Sequence, residues 1–144
     1  MKISIRTEPD AAHAASAARR AAAELGFDPH AQTLIATAAS ELAINITRYA
    51  RFGWMELHPI ERGRRRGLEV VFQDAGDGID DIALAMTDGH TTRDSLGMGL
   101  PAVKRMMDEF TLTSEPGRGT RAVIRKFLPA GSESGRRTGI GRAP

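Results

Sequence analysis

Ile35-Ala36-Thr37-Ala38-Ala39-Ser40-Glu41-Leu42-Ala43-Ile44-Asn45-Ile46-Thr47-Arg48-Tyr49 decides the architecture, because its apolar residues recur with the period of a helix. Ile35, Ala39, Leu42, Ile46 and Tyr49 stand three or four apart and draw one stripe for a core. Just upstream, Asp28-Pro29 supplies an N-cap followed by proline at the first helical position, so the helix is predicted to run to about Arg51. Beside the stripe, about 100° round, Glu41 and Asn45 are four apart and project as neighbours. A carboxylate there can accept a proton and a carboxamide oxygen can coordinate magnesium, although an ordinary polar helix flank would read the same way.

Working outward, Ala11 to Leu25 is almost all Ala, Arg and Glu, strong helix formers, and Gly26 follows as a stop. Met1 to Glu8 alternates apolar and polar residues, which predicts a half-buried strand at a sheet edge. Downstream, Trp54–Pro59 and Gly67–Gln73 read as two strands joined by the arginine-rich turn Ile60–Arg66, a solvated hairpin tip or a docking patch. Asp74 to Gly78 is a glycine-rich loop, Asp80 to Met86 a short helix, and Thr87 to Ser95 a polar stretch suited to a lid. Leu100, Val103, Met107 and Phe110 then predict a third long helix after Gly97, with Pro101 in its first turn. Two β-prone runs, Phe110–Ser114 and Thr120–Leu128, flank a Pro-Gly turn. This order lacks βαβ alternation and predicts a two-layer α/β sandwich: a mixed, mainly antiparallel sheet with helices on one face.

The chain has 144 residues, 41% hydrophobic and 26% charged, which suits one domain and argues against wholesale disorder. We expect a domain over residues 1–128 and a flexible basic tail over 129–144. That tail carries Arg136, Arg137 and Arg142 against Glu133 and so supplies the whole net charge of +2. A neutral body is not the footprint of a nucleic-acid binder. No apolar run is long enough to span a membrane and no signal peptide is evident, so the expected setting is the cytoplasm, with neither membrane nor nucleic acid as partner. Absence of cysteine removes disulfides, thiol catalysis and thiolate zinc sites. The four histidines lack metal-ligand spacing, and no P-loop is present. Asp74–Gly78 fails as a calcium loop, since Gly76 and Ala85 stand where acidic ligands belong.

Two glycine pairs remain. Gly76 and Gly78 follow a buried-looking strand that ends in Asp74, and Gly97 and Gly99 open a helix whose free N–H groups favour a phosphate. In order, Glu41-x-x-x-Asn45, Asp74-x-Gly76-x-Gly78, Gly97-x-Gly99-Leu100 and Gly117-x-Gly119-Thr120 resemble the N, G1, G2 and G3 boxes of the GHKL ATP-binding superfamily. The chain is too short for the added domains of histidine kinases or gyrase-type ATPases. Its wording over Ser40–Ala50 and Gly97–Phe110 looks like the RsbT-like switch serine/threonine kinases of bacterial stressosomes, in the anti-sigma-factor kinase group. The likeness runs from about residue 3 to residue 128. Ile44 and Ser95 depart from the pattern without removing a functional side chain.

By that resemblance, Glu41 is the general base and Asn45 the magnesium ligand, and Asp74 receives the adenine amine, selecting ATP over GTP. Gly76, Gly78, Gly97 and Gly99 would shape the pocket and lid, the Gly99–Leu100 helix start would receive phosphate, and Thr120 would complete the adenine contacts. Arg93 or Lys104 would reach the γ-phosphate. The implied activity is ATP- and magnesium-dependent phosphorylation of STAS-domain partners in a stress-response pathway, followed by engagement of another regulator such as a PPM-type phosphatase. The alternative is an anti-sigma factor or a nucleotide-dependent binding module.

Overall fold

A computed structural model describes residues 1–50, 52–76 and 99–130. The expected helix at 80–86, the lid at 87–95, Gly78, Gly97, Arg93 and nearly all of the tail lie outside the described residues.

Strand β1 (Lys2–Ile5) is followed by helices α1 (Glu8–Leu25) and α2 (Pro29–Tyr49). Strands β2 (Gly53–Arg62) and β3 (Arg65–Asp74), helix α3 (Gly99–Met106), and strands β4 (Glu109–Glu115) and β5 (Gly119–Phe127) complete the described elements. The sheet order is β1-β2-β3-β5-β4, with β1 at an edge as expected. All four of these ladders are antiparallel. β3 and β4 do run parallel, but β5 lies between them, so that relationship makes no ladder.

Local chemistry explains the boundaries. Thr7 and Asp10 form a reciprocal capping box with Pro9 in the first turn, which starts α1 three residues earlier than its alanine run suggests. Gly26 ends that helix at φ +102, a conformation open to glycine at no steric cost. Asp28 caps α2 by accepting the Ala31 N–H at 2.8 Å. Beyond Ile46 the apolar stripe leaves the core, and Tyr49, in the last position of α2, is 48% exposed.

Two expected elements change length. The anticipated seven-residue loop between β2 and β3 is a two-residue turn, Gly63-Arg64, because the ladder continues to Arg62↔Arg65. Gly63 at φ +64 suits the first central position of a hairpin turn, and the flanking arginines are held by Phe127 and Glu109. The expected long third helix stops after eight residues, and Phe110 belongs to β4. There Asp108 accepts the Phe127 N–H at 2.8 Å and its own N–H donates to Arg125 O at 3.0 Å, drawing the chain onto β5.

A single apolar cluster fills the space between the sheet and its helices. Ile3, Ile5, Met55, Leu57, Leu68, Val70, Phe72, Ala122 and Ile124 contribute from the strands, and Ile35, Leu42, Ile46, Leu100 and Val103 from the helices. Alanines 14, 18 and 22 of α1 and 38, 39 and 43 of α2 are completely buried, and their small side chains let the two helices lie close together. The opposite sheet face carries Trp54, Glu56, His58, Glu69, Arg121 and Arg125. Among the described residues no helix is long and apolar enough to cross a membrane.

Candidate functional site

β3 delivers Asp74 to the C-terminal end of the central strand, and Asp74 ties two loops together. Its Oδ1 accepts the Gly76 N–H at 2.9 Å and the Thr120 N–H at 3.0 Å. Among the described residues Oδ2 has no partner, so one oxygen of the half-buried carboxylate orients the group and the other is left to accept. Gln73 braces the same junction, donating from Nε2 to Asp74 O at 3.0 Å and Thr120 O at 3.3 Å. Sequence reasoning missed Gln73, whose signal is only its place beside Asp74 at a strand end.

Glycine is required at two points around this carboxylate. Gly119 has φ +95, and a Cβ there would overlap the Asp74 carbonyl oxygen. A Cβ on Gly76 would come within 2.9 Å of the Tyr49 carbonyl oxygen and 3.0 Å of the Ala50 methyl. The Asp74–Gly76 loop is therefore seated on the C-terminal end of α2, the helix of Glu41 and Asn45. The Ala75 N–H, donating to Phe52 O at 3.1 Å, holds it there.

Glu41 and Asn45 are both half-buried, flanked by buried Leu42, Ala43 and Ile46, so the core fixes the helix face that carries them. Leu100 and Val103 enter the same core as Leu42 and Ile46, which sets the start of α3 against α2. Gly99 opens that helix at φ +72. Lys104 is exposed in the last turn of α3, about 6 Å along the axis from Leu100. The Thr120 hydroxyl lies 3.0 Å from Ser114 Oγ, which also donates to Gly119 O at 3.2 Å, so β4 supports the loop from behind. Asp74, Gly76 and Thr120 are thus joined directly, on the end of the helix that carries Glu41 and Asn45, and the helix that starts at Gly99 packs against that same helix.

Residues 5–126 match the model of the histidine kinase-like ATPase domain. The chain belongs to that family. Serine/threonine-protein kinase RsbT of Bacillus subtilis (strain 168) is 44% identical over 126 residues, covering 88% of this chain and 95% of the relative. An anti-sigma F factor of Thermoanaerobacter sp. (strain X514) is 33% identical over 100 residues, 65% of this chain and 68% of that protein. The histidine kinase domain of the E. coli osmosensor EnvZ, solved by NMR, aligns with a TM-score of 0.44 at 22% identity, covering 69% of this chain and 66% of that one, too distant to carry inference. As a member of the family with a kinase relative aligned over nearly its whole length, the chain is an ATP-binding enzyme of the serine/threonine-protein kinase type.

Proposed function

We propose that residues 1–128 form a cytoplasmic partner-switching kinase that transfers the γ-phosphoryl group of ATP to a serine or threonine of STAS-domain proteins. Afterwards it engages a second regulator such as a PPM-type phosphatase, within a stressosome pathway, with residues 129–144 as an appendage. The observation that carries this reading is the Asp74 carboxylate, held through one oxygen by two backbone N–H groups and, among the described residues, left to accept through the other. An acceptor-only group discriminates adenine, which offers an exocyclic amine, from guanine, which offers a carbonyl at that position.

Glu41, on the core-fixed face of α2, takes the proton from the incoming hydroxyl as the oxygen–phosphorus bond forms and the bond to the β-phosphate oxygen breaks. Gly76 and Thr120 hold the Asp74 end of the nucleotide, and the N–H groups at Gly99–Leu100 receive phosphate oxygens. Gly78 and Gly97 complete the loop and lid, and Lys104 or Arg93 reaches the γ-phosphate. Asn45 would hold magnesium. Among the described residues no three acidic or imidazole side chains gather into a cage, and none is needed, because magnesium keeps several waters and takes few protein oxygens alongside phosphate. When bound, that ion neutralises charge on the phosphates.

The test is transfer of radiolabelled phosphate from ATP to a cognate STAS protein. Glu41→Ala should leave nucleotide affinity nearly unchanged and lower transfer by about 10²–10⁴-fold. Normal transfer by that variant would remove Glu41 from the mechanism. The relatives named anti-sigma F factor favour one second reading, sequestration of a sigma factor. Affinity capture with ATP and magnesium separates the two, since a switch kinase retains STAS or phosphatase partners and an anti-sigma factor retains a sigma factor.

A further inference from the structure

The sheet face opposite the described helices carries a second cluster, at the β2–β3 hairpin, remote from Asp74. At about 3.3 Å per residue, β3 spans about 30 Å between Arg65 and Asp74. At the hairpin end, Phe127 lies against Gly67, where a Cβ would come within 2.7 Å of its ring. The Arg62 and Arg65 guanidinium groups sit 4.9 and 5.1 Å from the centre of that ring. Together with Asp108 and Glu109 they line a cleft of about 300 Å³.

Acids and bases in this cluster are not matched. Every carboxylate lining the cleft is engaged: Glu109 by Arg62 and by Arg125 at 3.1 Å, and Asp108 by the Phe127 N–H at 2.8 Å. Two arginines at the tip are not. Arg65 makes one long hydrogen bond, Nε to Leu128 O at 3.4 Å. Arg64 is exposed in the turn. Among the described residues neither has a carboxylate partner.

We propose that this tip docks an acidic segment of a partner protein, its carboxylates received by Arg64 and Arg65. A guanidinium is a planar fork that matches a carboxylate with two parallel hydrogen bonds, and Arg65, stacked on Phe127, already presents such a plane. Interspersed Glu61, Asp108 and Glu109 limit the basic surface to a small patch and oppose a continuous phosphate backbone, so the observations favour a peptide over a nucleic acid. The site is independent of the kinase reading, and its occupation leaves the Asp74 end of the sheet open.

Fluorescence anisotropy of a labelled Glu-rich peptide at low salt tests the proposal on the full chain. The double variant Arg64→Ala/Arg65→Ala should weaken peptide binding about five-fold or more and leave ATP affinity unchanged. Arg64→Ala alone, at an exposed position without a partner, should weaken it about two-fold with no change in melting. A control of equal charge, Arg19→Ala/Arg20→Ala on α1, should change it little. The proposal is overturned if the wild-type chain does not bind the peptide or if the control weakens binding equally. It is also overturned if an oligonucleotide of the same charge binds as tightly with the same dependence on Arg64 and Arg65.

Discussion

Asp74 Oδ1 accepts the Thr120 N–H at 3.0 Å, joining positions 46 apart in the chain. The bond aims the second carboxylate oxygen, so Asp74→Asn isolates the recognition role from the structural one. The amide oxygen can keep both backbone N–H bonds, while the amide NH₂ turns a donor toward the place proposed for the adenine amine. ATP affinity should fall about ten-fold or more, with little change in melting temperature. Calorimetric titration showing wild-type affinity would remove Asp74 from nucleotide recognition.

Gly119 and Gly117 offer an internal contrast, since both have positive φ but only Gly119 faces the Asp74 carbonyl. Gly119→Ala should cost about 1–3 kcal/mol or more and weaken ATP binding. Gly117→Ala, which meets open space, should cost about 1 kcal/mol and leave binding alone. Urea unfolding and nucleotide titration of the pair check this, and equal effects would contradict the assigned packing.

Leu42, 4% exposed, anchors the α2 face beside Glu41. Leu42→Ala should destabilise by about 2–5 kcal/mol in urea unfolding. A loss below about 1 kcal/mol would mean that this stretch of α2 is not seated in the core.

Acid sensitivity should come from three carboxylates. Hydrogen bonding from Arg62 holds Glu109 below the usual glutamate range, His58 and then Trp54 do the same for Glu56, and the backbone N–H groups of Arg6 and Thr7 for Asp10. A carboxylate whose pKa falls on folding stabilises above its unfolded value, near 4, and loses that contribution as pH drops through its lower folded value. Melting temperature should therefore hold down to about pH 5 and decline below about pH 4, and Glu109→Gln should flatten the decline. An unchanged slope in Glu109→Gln would exclude the Arg62–Glu109 pair as a contributor.

Much of this could be read from residue patterns, because the signals are local. The α2 stripe, its Asp28-Pro29 start, the Gly26 stop and both sheet hairpins rest on side chains a few positions apart. What escaped is nonlocal or competitive. Thr7-x-x-Asp10 overrode the strand pattern near Glu8, and the arginines at the hairpin tip read as a loop until Phe127 and Glu109 were seen to hold them in the ladder. Phe110 fits a helical period but pairs with Ile124 once Asp108 turns the chain. At the site, Asp74, Gly76 and Thr120 were legible as an ordered set of boxes, whereas the brace from Gln73 and the support from Ser114 depend on β5 lying between β3 and β4.

That strand order also sets a timetable for biosynthesis. β1, α1, α2, β2 and β3 leave the ribosome as a nearly continuous N-terminal half able to form its local pairings, but β3 must wait for β5, made tens of residues later. Until Thr120 arrives, the Asp74 carboxylate lacks one of the two backbone N–H groups that hold Oδ1, so its orientation is completed only after β5 has joined the sheet.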